Sequence, residues 1–258
     1  MKTRSFPERQ DGSKRILPGL AAGMSAVSDR SCRAYEAQHP AIQGLLHAEC
    51  KRPRVNPSLR GRQLRRRAYV VAQQGNHQEA IDILSQLIAC NPQSATDYNN
   101  RGLVYFQGGQ LEAALSDYNT ALQLNPRLAS AYNNRANYYA AQGQLAAAIA
   151  DYEKAIDFNP SNVRARINRG ITLRDLGLYS RAVENFDLAL RFGQLEEHIY
   201  AERGRTYHLH GDWNCAIADY QRVLSQLLQS QPNRDKTSNR LRFQVENWLQ
   251  ELLTPLLP

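Results

Sequence analysis

No apolar run in this sequence approaches the roughly 18–20 residues needed to cross a bilayer, so a membrane-spanning helix is not expected. Cysteine is scarce and scattered: Cys32, Cys50, Cys90 and Cys215 contain no C-x-x-C pair. In a chain of 258 residues that spacing argues against a disulfide framework and for a reducing compartment, the cytoplasm. The signatures of catalysis are missing as well. No G-x-S-x-G, phosphate-binding loop, H-E-x-x-H or glycine-rich dinucleotide motif occurs, so no enzyme activity and no cofactor are expected. Hydrophobic residues at 42% and charged residues at 22% are ordinary for a soluble globular chain.

The formal charge of +8 is unevenly placed. Residues 1–67 hold 15 lysines and arginines against 5 acids, while residues 68–258 hold the remaining 17 against 19. The basic character therefore belongs to the front of the chain, and the rest is close to neutral.

Shifting the chain against itself by 34 residues aligns several independent columns. Pro92, Pro126 and Pro160 recur, as do Gly75, Gly109, Gly143, Gly177 and Gly211. Ala80, Ala114, Ala148, Ala182 and Ala216 form a third column, and Leu84, Tyr118, Tyr152, Phe186 and Tyr220 a fourth. Each column has a physical reason. The glycine closes a first helix where positive φ is needed. The alanine lets two helices cross closely, and the large residue fills the space between units. The proline follows a second helix that it cannot continue, because it lacks the N–H.

On these columns the chain resembles the tetratricopeptide-repeat family. The resemblance covers five units at 61–94, 95–128, 129–162, 163–196 and 197–230, and "YNNRGLVYFQGGQLEAALSDYNTALQLNP" (98–126) is nearly ideal. It implies an all-α fold, an α-solenoid built as a right-handed superhelix of helix hairpins. The fourth and fifth units have Gln194 and Leu228 in the proline column, so those junctions are expected to bend or loosen. Beyond the repeats, Leu241, Val245, Trp248, Leu249 and Leu252 make one apolar face, which predicts a C-terminal capping helix over 235–253.

Residues 1–59 lack the repeat and contain Pro7, Pro18, Pro40, Pro53 and Pro57, so a mostly disordered basic arm is expected, with a short helix near Ala41–Ala48. The apolar stretch 16–27 is broken by proline and glycine and flanked by Glu8 and Asp11, against a cleaved secretion signal. A translation start at Met24 instead of Met1 is the parallel reading of the same stretch.

The column Arg67, Arg101, Arg135, Arg169 and Arg203 stands where the family usually has leucine. A buried arginine needs a partner. Asp117, Asp151 and Asp219 lie 16 residues after Arg101, Arg135 and Arg203, which predicts ion pairs within units two, three and five. In unit four that place is Asn185, and in unit one Ile83 beside Asp82. These arginines are read as packing devices, not ligand contacts.

The resemblance places a ligand surface on the inner, concave side, where asparagines grip the backbone of a bound peptide. It maps there Asn99, Asn100, Leu103 and Phe106 of unit two, and Asn133, Asn134 and Asn137 of unit three. Arg164, Asn168, Ile171 and Arg174 follow from unit four, then His198, Arg205 and His208 from unit five. Asparagine offers both donor and acceptor to an extended main chain; linking neighbouring helices is its blander use. The subclass that clamps the C-terminal carboxylate of heat-shock chaperones is not matched. Its best register uses Asn137 and Asn168 but offers Asn133, His198 and Glu202 where basic residues are required. The groove leans positive through Arg62, Arg65, Arg164, Arg174 and Arg205, with Asp175 and Glu202 opposing, so an acidic peptide or protein is the expected partner.

Two competing readings remain. The run "RGRQLRRR" (60–67) carries the basic patch Arg62, Arg65 and Arg66 and would attract phosphate. Only Tyr69 is at hand for base stacking, so nucleic acid is the alternative partner through segment 51–67, and anionic lipid a peripheral one. Cys32, His39, His47 and Cys50 fit no common zinc spacing, and His208 and His210 point apart on a helix, so no metal is expected. The sequence thus reads as an adaptor or assembly scaffold.

Overall fold

The computed structural model describes residues 57–229 and 236–254. Most of the basic arm, its expected helix near Ala41–Ala48, stretch 16–27 and the set Cys32, His39, His47 and Cys50 lie outside the described residues.

Eleven α-helices and no strands are found among the described residues. They are α1 (Pro57–Gln73), α2 (His77–Cys90), α3 (Ala95–Gln107), α4 (Leu111–Leu124), α5 (Ala129–Ala141), α6 (Leu145–Phe158), α7 (Val163–Asp175), α8 (Tyr179–Leu190), α9 (Glu196–His210), α10 (Trp213–Gln229) and α11 (Lys236–Leu253). Odd and even helices pair as hairpins, and each second helix also packs against the next first helix. The result is an all-α solenoid.

The repeating columns explain its regularity. Gly75, Gly109, Gly143, Gly177 and Gly211 all adopt positive φ, between 75° and 98°, at the turn that ends each first helix. The alanine column is wholly buried where the helices of a hairpin cross, and Tyr118, Tyr152, Phe186 and Tyr220 are wholly buried between them. The approach there is close: a Cβ on Gly102 would stand 2.8 Å from the Tyr118 ring, and one on Gly170 2.8 Å from Phe186.

Successive first helices touch one another from α3 onward, whereas no second helix comes comparably close to the next second helix among the described residues. An array whose first helices crowd and whose second helices splay is concave on the first-helix side. That curvature puts α1, α3, α5, α7 and α9 on the inner surface.

Where the closing proline is absent the two junctions differ. Helix α8 stops after 12 residues, and the chain turns through Gly193 and Leu195, both at positive φ, before α9. Leu195 is the one non-glycine residue in that region among those described, a local cost of about 1 kcal/mol. At the next junction α10 simply runs on for 17 residues. Helix α11 stands against α10 and α9 as a further first helix would. Its Leu241, Val245 and Leu252 are buried in one cluster with Ala201, Tyr220, Val223 and Leu227, with Trp248 and Leu249 packed at the edge. No helix of the described residues is long and apolar enough to cross a membrane.

Candidate functional site: the inner face of the first helices

The arginine column faces away from the concave surface, toward the second helices. Arg101 donates through Nε and Nη2 to both carboxylate oxygens of Asp117, at 2.8 and 2.9 Å. Arg135 does the same to Asp151 and Arg203 to Asp219. The three expected ion pairs are all present, each a two-pronged fork on a buried aspartate. The aspartate bonds hold the Arg101 and Arg203 guanidiniums above their ordinary pKa range. For Arg135, burial opposes the charge and the Asp151 bonds and field outweigh it.

Each guanidinium also reaches back to the preceding unit, which spacing within one unit does not reveal. Arg101 donates to Ser85, Arg135 to Asn119 and Arg203 to Asp187, always 16 residues earlier on the preceding second helix. Two tyrosines flank each fork: Tyr98 and Tyr105 for Arg101, Tyr132 and Tyr139 for Arg135, Tyr200 and Tyr207 for Arg203. One side chain thus ties two second helices and an aromatic pair together. Unit four departs from this. Arg169 keeps only the backward bond, to Glu153, and its buried Nε has no acceptor. Asn185 gives its amide to the Arg181 carbonyl and leaves its own oxygen unpartnered. Arg67 of unit one is exposed and pairs with Glu79.

The inner-face residues sort differently. Asn99, Asn133, Asn134, Asn137 and Asn168 are buried, with little surface to offer a ligand. Asn134 donates to Asn99 at 3.0 Å and Asn168 to Asn137 at 3.0 Å, so the asparagines bind successive first helices to one another. The Tyr152 hydroxyl donates to the same Asn137 oxygen at 2.6 Å. In the preceding unit the matching position is Leu103, and the buried Tyr118 hydroxyl there has no partner. Burial pushes both phenols far above their ordinary range.

Asn100, Leu103, Phe106, Arg164, Ile171, Arg174, His198, Arg205 and His208 are each half-buried and keep some accessible surface. Leu103 and Phe106 belong to none of the four apolar clusters, whereas Ile171 packs beside the cluster around Phe186. Two groove arginines, Arg174 and Arg205, are engaged. Arg174 donates to Glu202 at 2.6 Å, and Arg205 to Glu251 of α11 at 2.8 Å with its guanidinium 5.4 Å from the Trp248 ring centroid. The surplus positive charge expected in units four and five is therefore largely cancelled by these carboxylates. His208 lies between Arg205 and the Tyr220 hydroxyl, and burial, then the arginine charge, push its pKa down. His210 turns instead to Asp212 and stacks near Tyr179.

At the front, Arg65 forks onto the fully buried Asp97, so it is a packing residue like the column arginines. A single acid 32 residues downstream was the signal for that pair. Arg62 and Arg66 are exposed and form no ion pair among the described residues.

Models of the tetratricopeptide repeat match residues 65–131 and 117–150, and a TPR-repeat model matches 136–177. No curated protein matches the chain in sequence. Solved structures do match in fold. A thermophilic TPR protein from Thermus thermophilus is 20% identical with a TM-score of 0.61, covering 73% of this chain and 98% of its own. PilF of Pseudomonas aeruginosa is 19% identical at 0.59, over 77% of this chain and 92% of its own. YrrB, described as a TPR protein with an unusual peptide-binding site, is 15% identical at 0.53, over 84% and 100%. With the 34-residue columns, the paired helices and the repeat models in agreement, the matched stretch, residues 65–177, is built of tetratricopeptide repeats.

Proposed function

We propose that this protein is a non-enzymatic adaptor or assembly scaffold that holds a peptide or a partner's helix against its concave face. One observation carries the reading. Leu103 and Phe106 keep accessible apolar surface on the inner face and serve none of the solenoid's own clusters. Apolar side chains free of the core, on a concave surface, are what a partner's anchor residues need. The asparagine ladder beneath them supports this by fixing the spacing of the first helices, so little conformational entropy is lost when a partner docks. The peptide-binding description of YrrB is consistent with such use of the fold.

Affinity capture from native extract tests the reading with two baits, the intact chain and one carrying Leu103→Asp and Phe106→Asp at unchanged helicity. Proteins recovered by the first and lost by the second are the expected result. Identical recoveries by both would reject the groove. Nucleic acid alone, lost on treatment with nuclease, would favour the basic segment 51–67.

A further inference from the structure

The inner face is not chemically uniform along its length, and the ion pairs decide where its charge is available. At the unit-one end Arg62 and Arg66 are exposed and have no carboxylate among the described residues. Asp97 and Glu79 are taken by the neighbouring arginines, Asp97 by Arg65 and Glu79 by Arg67. In the middle, Leu103 and Phe106 present apolar surface on α3, and α5 carries Asn137 and Ala140 in their columns. At the far end Arg174 and Arg205 are each closed by a glutamate.

From this gradient we infer that the groove reads polarity as well as shape: its partner is a segment with apolar anchors in the middle and a cluster of acidic residues at one end, laid so that the acids meet Arg62 and Arg66. The inference rests on the concave face being the binding surface. Charge complementarity selects the occupant. An acidic cluster placed over units four and five would meet Arg174 and Arg205 already held by Glu202 and Glu251, whereas at unit one it meets two exposed arginines with no carboxylate of their own among the described residues. The apolar stretch excludes a uniformly acidic ligand, since its charges would lose water over Leu103 and Phe106 with no partner in return. Spacing of about 10 Å between neighbouring first helices sets the partner's reach from unit one to unit four at about 30 Å, the length of a helix of about 20 residues.

Selection of displayed random peptides of about 20 residues on the full-length chain tests this directly. Recovered sequences should join apolar residues to acids grouped at one end. Binding should weaken about tenfold or more in Arg62→Glu/Arg66→Glu, the size expected when two screened charge pairs become repulsions. Arg181→Glu, at an exposed position of the second helix α8 and off the inner face, should leave it within about twofold. A photo-crosslinker at the acidic end should label α1. Peptides that need Leu103 and Phe106 but show no acidic end, or whose acidic end labels α7 or α9, would overturn this inference and leave the groove reading intact. Peptides indifferent to Leu103→Asp and Phe106→Asp would sink both. A labelled single-stranded oligonucleotide that binds through Arg62 and Arg66, with no groove-dependent peptide recovered, would also overturn it and point to nucleic acid. Arg62 and Arg66 are exposed, so their variants are expected to fold normally.

Discussion

Units three and four share one backbone plan and differ in how their arginine is held. Arg135 is clamped by Asp151, reaches back to Asn119 and lies between Tyr132 and Tyr139. Arg169, one repeat on, has Asn185 for the aspartate, and Arg166 and Leu173 where the tyrosines stood. Two more changes coincide with this: the closing proline is gone and the junction to α9 turns through Leu195 at positive φ. A repeat array is stabilised by terms within units and between neighbours. Weakening both in one unit makes unit four the place where the solenoid opens most easily, between two well-clamped neighbours.

The largest effect should come from removing a clamp. Asp151→Ala leaves the Arg135 guanidinium in a mostly buried site without its fork and should cost about 3 kcal/mol in urea unfolding. Installing the clamp in unit four sharpens the contrast: Asn185→Asp gives the orphaned Arg169 Nε a carboxylate and should stabilise by about 1 kcal/mol. Hydrogen exchange should then slow in α7 and α8. A finer comparison uses the two tyrosines. Tyr152→Phe removes a bond to Asn137 and should cost about 1 kcal/mol, while Tyr118→Phe removes a hydroxyl that has no partner and should cost nothing or stabilise slightly. Equal effects in the two units would contradict the assigned network.

The smallest effect is the pH response of unit five. Burial and Arg205 hold the His208 pKa below its ordinary 6.5, so the folded state resists protonation there. Its contribution is fully present above that value and is lost as pH falls through the depressed folded pKa. Thermal stability should therefore decline on acidification below about pH 6.5, with His208→Gln flattening the His208 part of the slope.

Much of this was legible in the sequence because a 34-residue period repeats the same physical demand. Five glycines, five alanines and a large-residue column point to one turn, one crossing and one cavity, and the structure has each. The forks of units two, three and five followed from a constant spacing of 16. The backward bonds of units two to five were also periodic, at Ser85, Asn119, Glu153 and Asp187, but four different residue types hid the column. The inner face was less legible. Helical sidedness placed the asparagines on the concave side without telling that they lie deep enough to bond one another. Charge counting gave the groove a positive lean, yet Glu251 comes from a helix outside the repeat and cancels Arg205. Contacts between non-equivalent positions leave no period in the chain, so pattern reading cannot reach them.

The arginine column holds the array together from the side opposite the proposed binding face. A pair of double-mutant cycles tests that most directly: Arg135→Met with Asp151→Leu, and Arg169→Met with Asn185→Leu, each followed by equilibrium unfolding. The expected coupling is about 2 kcal/mol in unit three and close to zero in unit four. Equal couplings in the two units, or none in unit three, would contradict it.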